Sequence, residues 1–221
     1  MITLAIDAST YVGDVAVLDG SRVLADDSVA MKGAEHERLM PAVAQVLRSA
    51  NVEVDAIGRV VCGAGPGSFT SLRIAGAISK GIASGIGAPL FAVHSMALIV
   101  AGSQPSPGRY LAVVDALRGE AYVGLYEVDG DRKTMELEPA RIVSVADVET
   151  LAAEFDAKTI GPSRELCSVV ANPRARAVGV LDDMVASNTP VDLASWEPAY
   201  GRLAEAQVKW ETAHGRPLPA G

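Results

Sequence analysis

The sequence predicts an α/β chain of two lobes, each built on a mixed sheet, with the second lobe shortened. Three observations carry this. Three strand-like runs precede the first helix. A breaker cluster, Gly102-Ser103-Gln104-Pro105-Ser106-Pro107-Gly108, interrupts the chain near its middle. Beyond that cluster the opening landmarks return in the same order.

Residues 3–7 form a near-continuous apolar run, and 12–18 and 22–30 follow as further strands. Asp19-Gly20 between the last two is a hairpin dipeptide, because both residues tolerate positive φ. A helix is expected over 35–50, where Leu39, Met40, Val43, Val46 and Leu47 recur on one face. A strand over 56–62 leads through the Gly/Pro loop 63–69 into a second helix at 70–85. A short strand at 90–93 and a short helix at 95–101 close the first lobe. The chain then restarts with strands at 110–115 and 121–128, a helix at 145–155, a strand at 158–160 and one or two helices within 165–187. This divides the chain into a first lobe, 1–103, a smaller lobe, 104–195, and a segment, 196–221, that packs back and frays at its end.

The restart reads as an internal duplication. Ala5-Ile6-Asp7-Ala8, Tyr11-Val12-Gly13 and Asp19-Gly20 correspond to Val113-Val114-Asp115-Ala116, Tyr122-Val123-Gly124 and Asp129-Gly130. Each lobe thus carries an Asp near the C-terminal end of its first strand, where open α/β sheets tend to place ligands.

Composition narrows the function. With 19 basic and 27 acidic residues, the net charge of −8 disfavours a stand-alone nucleic-acid binder, which must release phosphate counterions. Apolar residues are 49% and charged residues 21%, as in folded globular domains. Aromatics are only 5%, so Ala, Val, Leu and Ile must build the core. Cys62 and Cys167 form neither a metal spacing nor a disulfide framework, which fits a reducing cytoplasm. No basic region precedes the first apolar run and no apolar stretch reaches about 18 residues, so neither a signal peptide nor a membrane span is expected.

The loop Gly63-Ala64-Gly65-Pro66-Gly67-Ser68-Phe69-Thr70 lies between a strand and a helix. Its backbone amides at Gly65, Gly67 and Ser68 either cradle an anion at the helix N-terminus or form a turn capped by Ser68 or Thr70. It ends in no Gly-Lys-Ser/Thr, so it is not a Walker A loop. Asp7 with Ser9 and Thr10 either holds a metal–nucleotide phosphate or closes a hairpin turn. In the second helix, Gly76 and Gly81 each cost about 1 kcal/mol against Ala, which implies close backbone approach. Gly76, Ala77, Lys80, Gly81 and Ser84 form a small-residue face, and Ile74, Ile78 and Ile82 form another. One face can cover the lobe's own sheet and the other can meet another helix, either a partner's or the first helix of the same lobe. No catalytic set emerges. His36, His94 and His214 are scattered, Met40 stands where a second metal-binding histidine would follow His36, and Cys62 belongs to an apolar strand.

Four blocks together resemble the TsaB (YeaZ) family: Ala5-Ile6-Asp7-Ala8-Ser9-Thr10, His36-Glu37-Arg38-Leu39-Met40-Pro41, Gly65-Pro66-Gly67-Ser68-Phe69-Thr70 with Arg73-Ile74, and Asp115-Ala116-Leu117-Arg118-Gly119-Glu120-Ala121-Tyr122. They cover about the first 125 residues in the family's order. Pro198-Ala199-Tyr200-Gly201-Arg202 matches the family's C-terminal element loosely, and Ser71 replaces a Gly that often follows the third block.

The resemblance implies an actin-like ATPase (ASKHA) fold of two ribonuclease-H-like lobes. It implies a non-catalytic scaffold in making N6-threonylcarbamoyladenosine at position 37 of tRNA. A TsaD-like subunit would carry the metal and the transfer, with a TsaE-like ATPase associated. No catalytic residue, metal or cofactor is expected of this chain itself; ATP or ADP would sit at the complex interface, and tRNA would be met only through the complex. The implied partner surface, toward TsaD or a second copy, comprises His36, Leu39, Met40, Val43 and Leu47 of the first helix and Arg73, Ala77, Lys80, Gly81 and Ser84 of the second. Two other readings remain at this stage. An independent ATP-dependent enzyme needs Asp7 and Asp115 to face one cleft. A metallopeptidase lacks paired histidines.

Overall fold

The computed structural model describes residues 1–33, 37–200 and 214–215. His36 and Arg202, the chain end at 218–221, and the start of the helix expected over 35–50 lie outside the described residues.

Sheet one contains β1 (Ile2–Asp7), β2 (Val12–Asp19), β3 (Arg22–Ala30), β4 (Ile57–Gly63) and β5 (Leu90–Val93), in the order β3-β2-β1-β4-β5. The first three strands are antiparallel, and β4 and β5 add in parallel. Sheet two contains β6 (Gly108–Leu117), β7 (Glu120–Val128), β8 (Thr134–Ser144), β9 (Ala157–Gly161) and β10 (Val169–Val170), in the order β8-β7-β6-β9-β10. Its strand directions repeat those of sheet one. Two copies of this five-stranded, ribonuclease-H-like topology make the actin-like ATPase fold.

Helices α1 (Leu39–Ala50) and α2 (Phe69–Ile86) cover the outer face of sheet one. Helix α3 (Ser95–Ser103) enters the space between the sheets. Its sequence, SMALIVAGS, is apolar nearly all round, as a helix buried on every side must be. Met96 to Ala101 pack with Ala5, Ala16 and Leu18 of sheet one and with Tyr110, Ala112 and Tyr126 of sheet two, in one core. Helix α4 (Val148–Glu154) covers the far face of sheet two, and the short α5 (Asp182–Ser187) ends the second lobe.

Two local differences from the sequence expectation have physical causes. Helix α1 starts at Leu39, because the Glu37 carboxylate accepts from the Leu39 and Met40 amides and so takes up the first donors. Strand β8 was not anticipated, because Pro139 and alternating glutamates obscure it. It is an edge strand, where Pro costs no ladder bond, and its register shifts there. The region 165–187 holds β10, a 3₁₀ turn, Ala175–Gly179, and one helix, α5, within the range expected for helices.

Polar straps bind this last region to sheet one. Asp14, fully buried in β2, accepts from the Ala175 amide at 2.7 Å and the Ser28 hydroxyl, and faces the Arg174 guanidinium at 3.3 Å. Arg174 and Arg176 both reach Asp26 of β3. Arg59 of β4, 6% exposed, bonds Thr3 at 2.8 Å and pairs with Asp182. A second link joins the lobes at the far end of β5. His94 Nδ1 and the Tyr126 hydroxyl both meet Glu136 Oε2, each at 3.1 Å.

The loops after β1 and β4 lie against each other. The Ser68 amide donates to the Ser9 carbonyl at 2.7 Å, and a Cβ on Gly67 would fall 1.9 Å from that carbonyl oxygen. By contrast, a Cβ on Gly81 meets nothing within 4 Å.

Two outcomes follow from this packing. Gly67→Ala forces the loops apart and destabilises by about 1–3 kcal/mol, whereas Gly81→Ala stabilises by about 0.5–1 kcal/mol through helix propensity; thermal melts of the two variants should move in opposite directions. The bond to Glu136 raises the His94 pKa above its usual value of 6.5. Its stabilisation is therefore full below that pH and is lost as pH rises through the raised value. His94 is 46% exposed, so the effect is at most about 1 kcal/mol, and urea unfolding of His94→Gln should lose that slope above pH 6.5.

Candidate functional site: a buried aspartate hub, an interlobe cleft and a helix face

Asp7 ends β1 and is fully buried. Its Oδ1 accepts from the Ser9 amide and the Ser9 hydroxyl, each at 2.9 Å. Its Oδ2 accepts from the Ser95 hydroxyl at the start of α3. Ser95 Oγ in turn accepts from the Gly65 amide at 3.0 Å, and the Ser95 amide donates to the Gly65 carbonyl at 3.0 Å. A Cβ on Gly63 would lie 1.8 Å from Asp7 Oδ2, so only glycine fits beside the carboxylate. Burial pushes the Asp7 carboxyl above its usual range, and the bonds from Ser95 and Ser9 oppose that rise.

These contacts match the second reading of Asp7, a polar turn after the strand. Both carboxylate oxygens are spent on holding β1, the β4–α2 loop and α3 together. Asp115, its counterpart in lobe two, is exposed, lines the cleft, and accepts from the Leu117 amide at 2.7 Å. The two aspartates therefore do not face one cleft.

The glycine loop is likewise filled from within. Gly65 has φ +89°, and a Cβ there would lie 2.6 Å from the Ala199 carbonyl oxygen. The Ala199 amide donates to the Ala64 carbonyl at 2.7 Å. Ser68 takes the helix N-cap position without a side-chain capping bond, and its hydroxyl meets Ser71 at 3.1 Å. The amides of Gly65 and Ser68 are thus committed to Ser95 and Ser9, as in the turn reading of the loop.

Between the lobes lies a cleft of about 870 Å³. Ser9, Thr10, Gly67 and Ser68 line it from lobe one; Asp115, Arg118 and Tyr122 line it from lobe two, and Tyr200 borders it. Thr10 is drawn toward Asn172 at 3.5 Å. Leu117 and Arg118, at φ 63° and 58°, form a strained left-handed turn before Gly119, and Leu117 is 59% exposed. Phe69 and Tyr200 stack at 4.6 Å, with the Arg73 guanidinium over both rings.

The expected partner surface divides in two. Met40, Arg73, Ala77, Gly81 and Ser84 are exposed on α1 and α2, and Leu47 is half-buried. Leu39 and Val43 are instead fully buried in the lobe's own core, because α1 turns that face onto sheet one. Lys80 lies partly buried and donates to the Trp196 carbonyl at 3.0 Å. Gly76 leaves the small-residue face: it lies under Pro198, whose ring a Cβ would meet at 3.2 Å. Ile74, Ile78 and Ile82 pack against the lobe's core.

Sequence reasoning missed Ser95, which reads as an ordinary helix start, and Asp14, whose charge inside an apolar strand was the available signal. Burial pushes Cys62 up to about 12, as for a thiol in a core. Among the described residues, no three His, Cys, Asp or Glu side chains gather as a metal site.

The family model for TsaD, tRNA N6-adenosine threonylcarbamoyltransferase, matches residues 31–158. The chain is 28% identical to the tRNA threonylcarbamoyladenosine biosynthesis protein TsaB of Bacillus subtilis (strain 168), over 95% of this chain and 98% of that protein. It is 33% identical to the protein of the same name from Escherichia coli (strain K12), over 58% of this chain and 56% of that one. The solved structure of YeaZ from Pseudomonas aeruginosa is similar with a TM-score of 0.74 at 25% identity, covering 90% of this chain and 99% of that chain. Agreement in sequence and in fold, over nearly the whole length of both partners, places the chain in the TsaB (YeaZ) family.

Proposed function

We propose that this chain is a non-catalytic scaffold in the synthesis of N6-threonylcarbamoyladenosine at position 37 of tRNA. It would act with a TsaD-like transferase subunit and a TsaE-like ATPase. The match to Bacillus subtilis TsaB, over 95% of this chain and 98% of that protein, carries the reading. The match of residues 31–158 to the TsaD model supports a like-with-like partnership, because both proteins then present related lobes to each other.

The geometry supports the division of labour. Asp7, which a metal–nucleotide enzyme of this fold would use at the cleft, is buried and hydrogen-bonded through both oxygens. The glycine loop is packed against Ser9 and Ala199, and its Gly65 and Ser68 amides are taken up within the chain. On this reading ATP or ADP sits at the interface with the partner. The exposed strip Arg73, Ala77, Gly81 and Ser84, with Met40 beside it, is the docking face for the TsaD-like subunit or for a second copy. Small side chains there allow two helix backbones to approach closely. A self-paired form would be isologous about a two-fold axis.

Threonylcarbamoyl transfer to tRNA, reconstituted with the TsaD-like and TsaE-like proteins, should require this chain; transfer at full rate without it overturns the proposal. Gly81→Leu should leave the chain folded and weaken its pairing by about 1–3 kcal/mol, a factor of roughly 5 to 150 in Kd, read by calorimetry against the TsaD-like subunit.

A further inference from the structure

We propose that the mouth of the interlobe cleft is a contact surface for a single-stranded RNA loop, so that this subunit touches the tRNA directly. The inference rests on the tRNA-modifying role proposed above and adds a site to it. Three aromatic rings border the cleft, each with a cation over its face, and a third cation faces them from lobe two. Tyr11 is 54% exposed and carries the Lys32 ammonium 4.6 Å from its ring centroid. Phe69 and Tyr200 lie 4.6 Å apart, tilted by 50°, and the Arg73 guanidinium sits 4.6 Å from the first ring and 5.6 Å from the second. Arg118 lines the same cleft from the opposite lobe, on the left-handed turn that presents it.

This grouping runs against the composition of the chain, whose net charge is −8 and whose aromatics are 5%. Rings and cations concentrated at one opening are what single-stranded RNA requires. Unstacked bases lie on aromatic faces and guanidinium planes, and the cations follow the phosphates. An RNA duplex offers no splayed base to such a rim. Asp115 and Glu120 also line the cleft, on the lobe-two wall. The Asp115 carboxylate is tied to the Leu117 amide, and the cations Lys32 and Arg73 belong to lobe one. The RNA strand is therefore expected along the Tyr11–Phe69–Tyr200 side. The acidic remainder of the surface explains why such binding would be weak in the isolated chain and effective only beside a partner.

The test is photo-crosslinking of a thiouridine-substituted anticodon stem–loop RNA to the full chain, alone and in complex with the TsaD-like subunit. Crosslinks should map to the peptides holding Tyr11, Phe69 or Tyr200. Tyr11→Ala should weaken RNA binding about five-fold or more. Lys32→Gln should make the salt dependence of log K shallower by roughly 0.7. Circular dichroism confirms that both variants fold. If transfer needs this chain but the rim variants bind RNA like the parent, the inference is overturned while the scaffold role stands. If crosslinks map to the rim but transfer proceeds without this chain, the contact stands and the scaffold role falls. Loss of the TsaD-like subunit by the rim variants, with RNA affinity unchanged, identifies a protein-docking surface and overturns the inference.

Discussion

Everything around the cleft depends on one buried carboxylate. Asp7 gathers donors from Ser9 on its own loop and Ser95 on α3, and Ser95 passes the connection to Gly65. A buried charge is costly unless its oxygens are hydrogen-bonded; here the donors come from the loop after β1 and the start of α3, and Ser95 is itself held by the loop after β4. The cost of burying Asp7 is thus offset only when β1, the loop after β4 and the start of α3 are all in place. The glycines of the loop follow from this arrangement. Gly63 makes room for the carboxylate and Gly67 for the Ser9 carbonyl.

The same position in the duplicated lobe shows what the hub replaces. Asp115 also ends an apolar strand stretch, but its carboxylate stays in the cleft and only caps the Leu117 turn. Two copies of one topology have thereby become unequal. The first lobe uses its aspartate as a rivet. The second, which has no long helix pair among the described residues, supplies a wall and a strained hairpin.

Much of this organisation is legible in the chain. The landmarks around Asp7 and Asp115, and the linker at 102–108, point to two related lobes, and two five-stranded sheets of like order are present. The four family blocks point to TsaB, and the full-length relatives agree. What escapes sequence reasoning is orientation. Helical periodicity identifies an apolar face on α1 but does not say whether that face meets its own sheet or another molecule; Leu39 and Val43 meet the sheet. Spacing likewise places Asp7 at a strand end without revealing that Ser95, far along the chain, would claim it. Strand β8 hides because an edge strand tolerates the Pro and the charges that mark other segments as loops.

Helix α3 has a wider consequence. It sits between the two sheets and contributes Met96 through Ala101 to a core that belongs to neither lobe alone. Enzymes that close on a ligand by swinging two domains need a seam that parts without exposing oil to water. Here the seam is filled by an apolar cylinder, and parting it would wet that cylinder along its length. The gap between the halves is accordingly a fixed notch in a stiff wedge. That stiffness would suit the scaffold role proposed above.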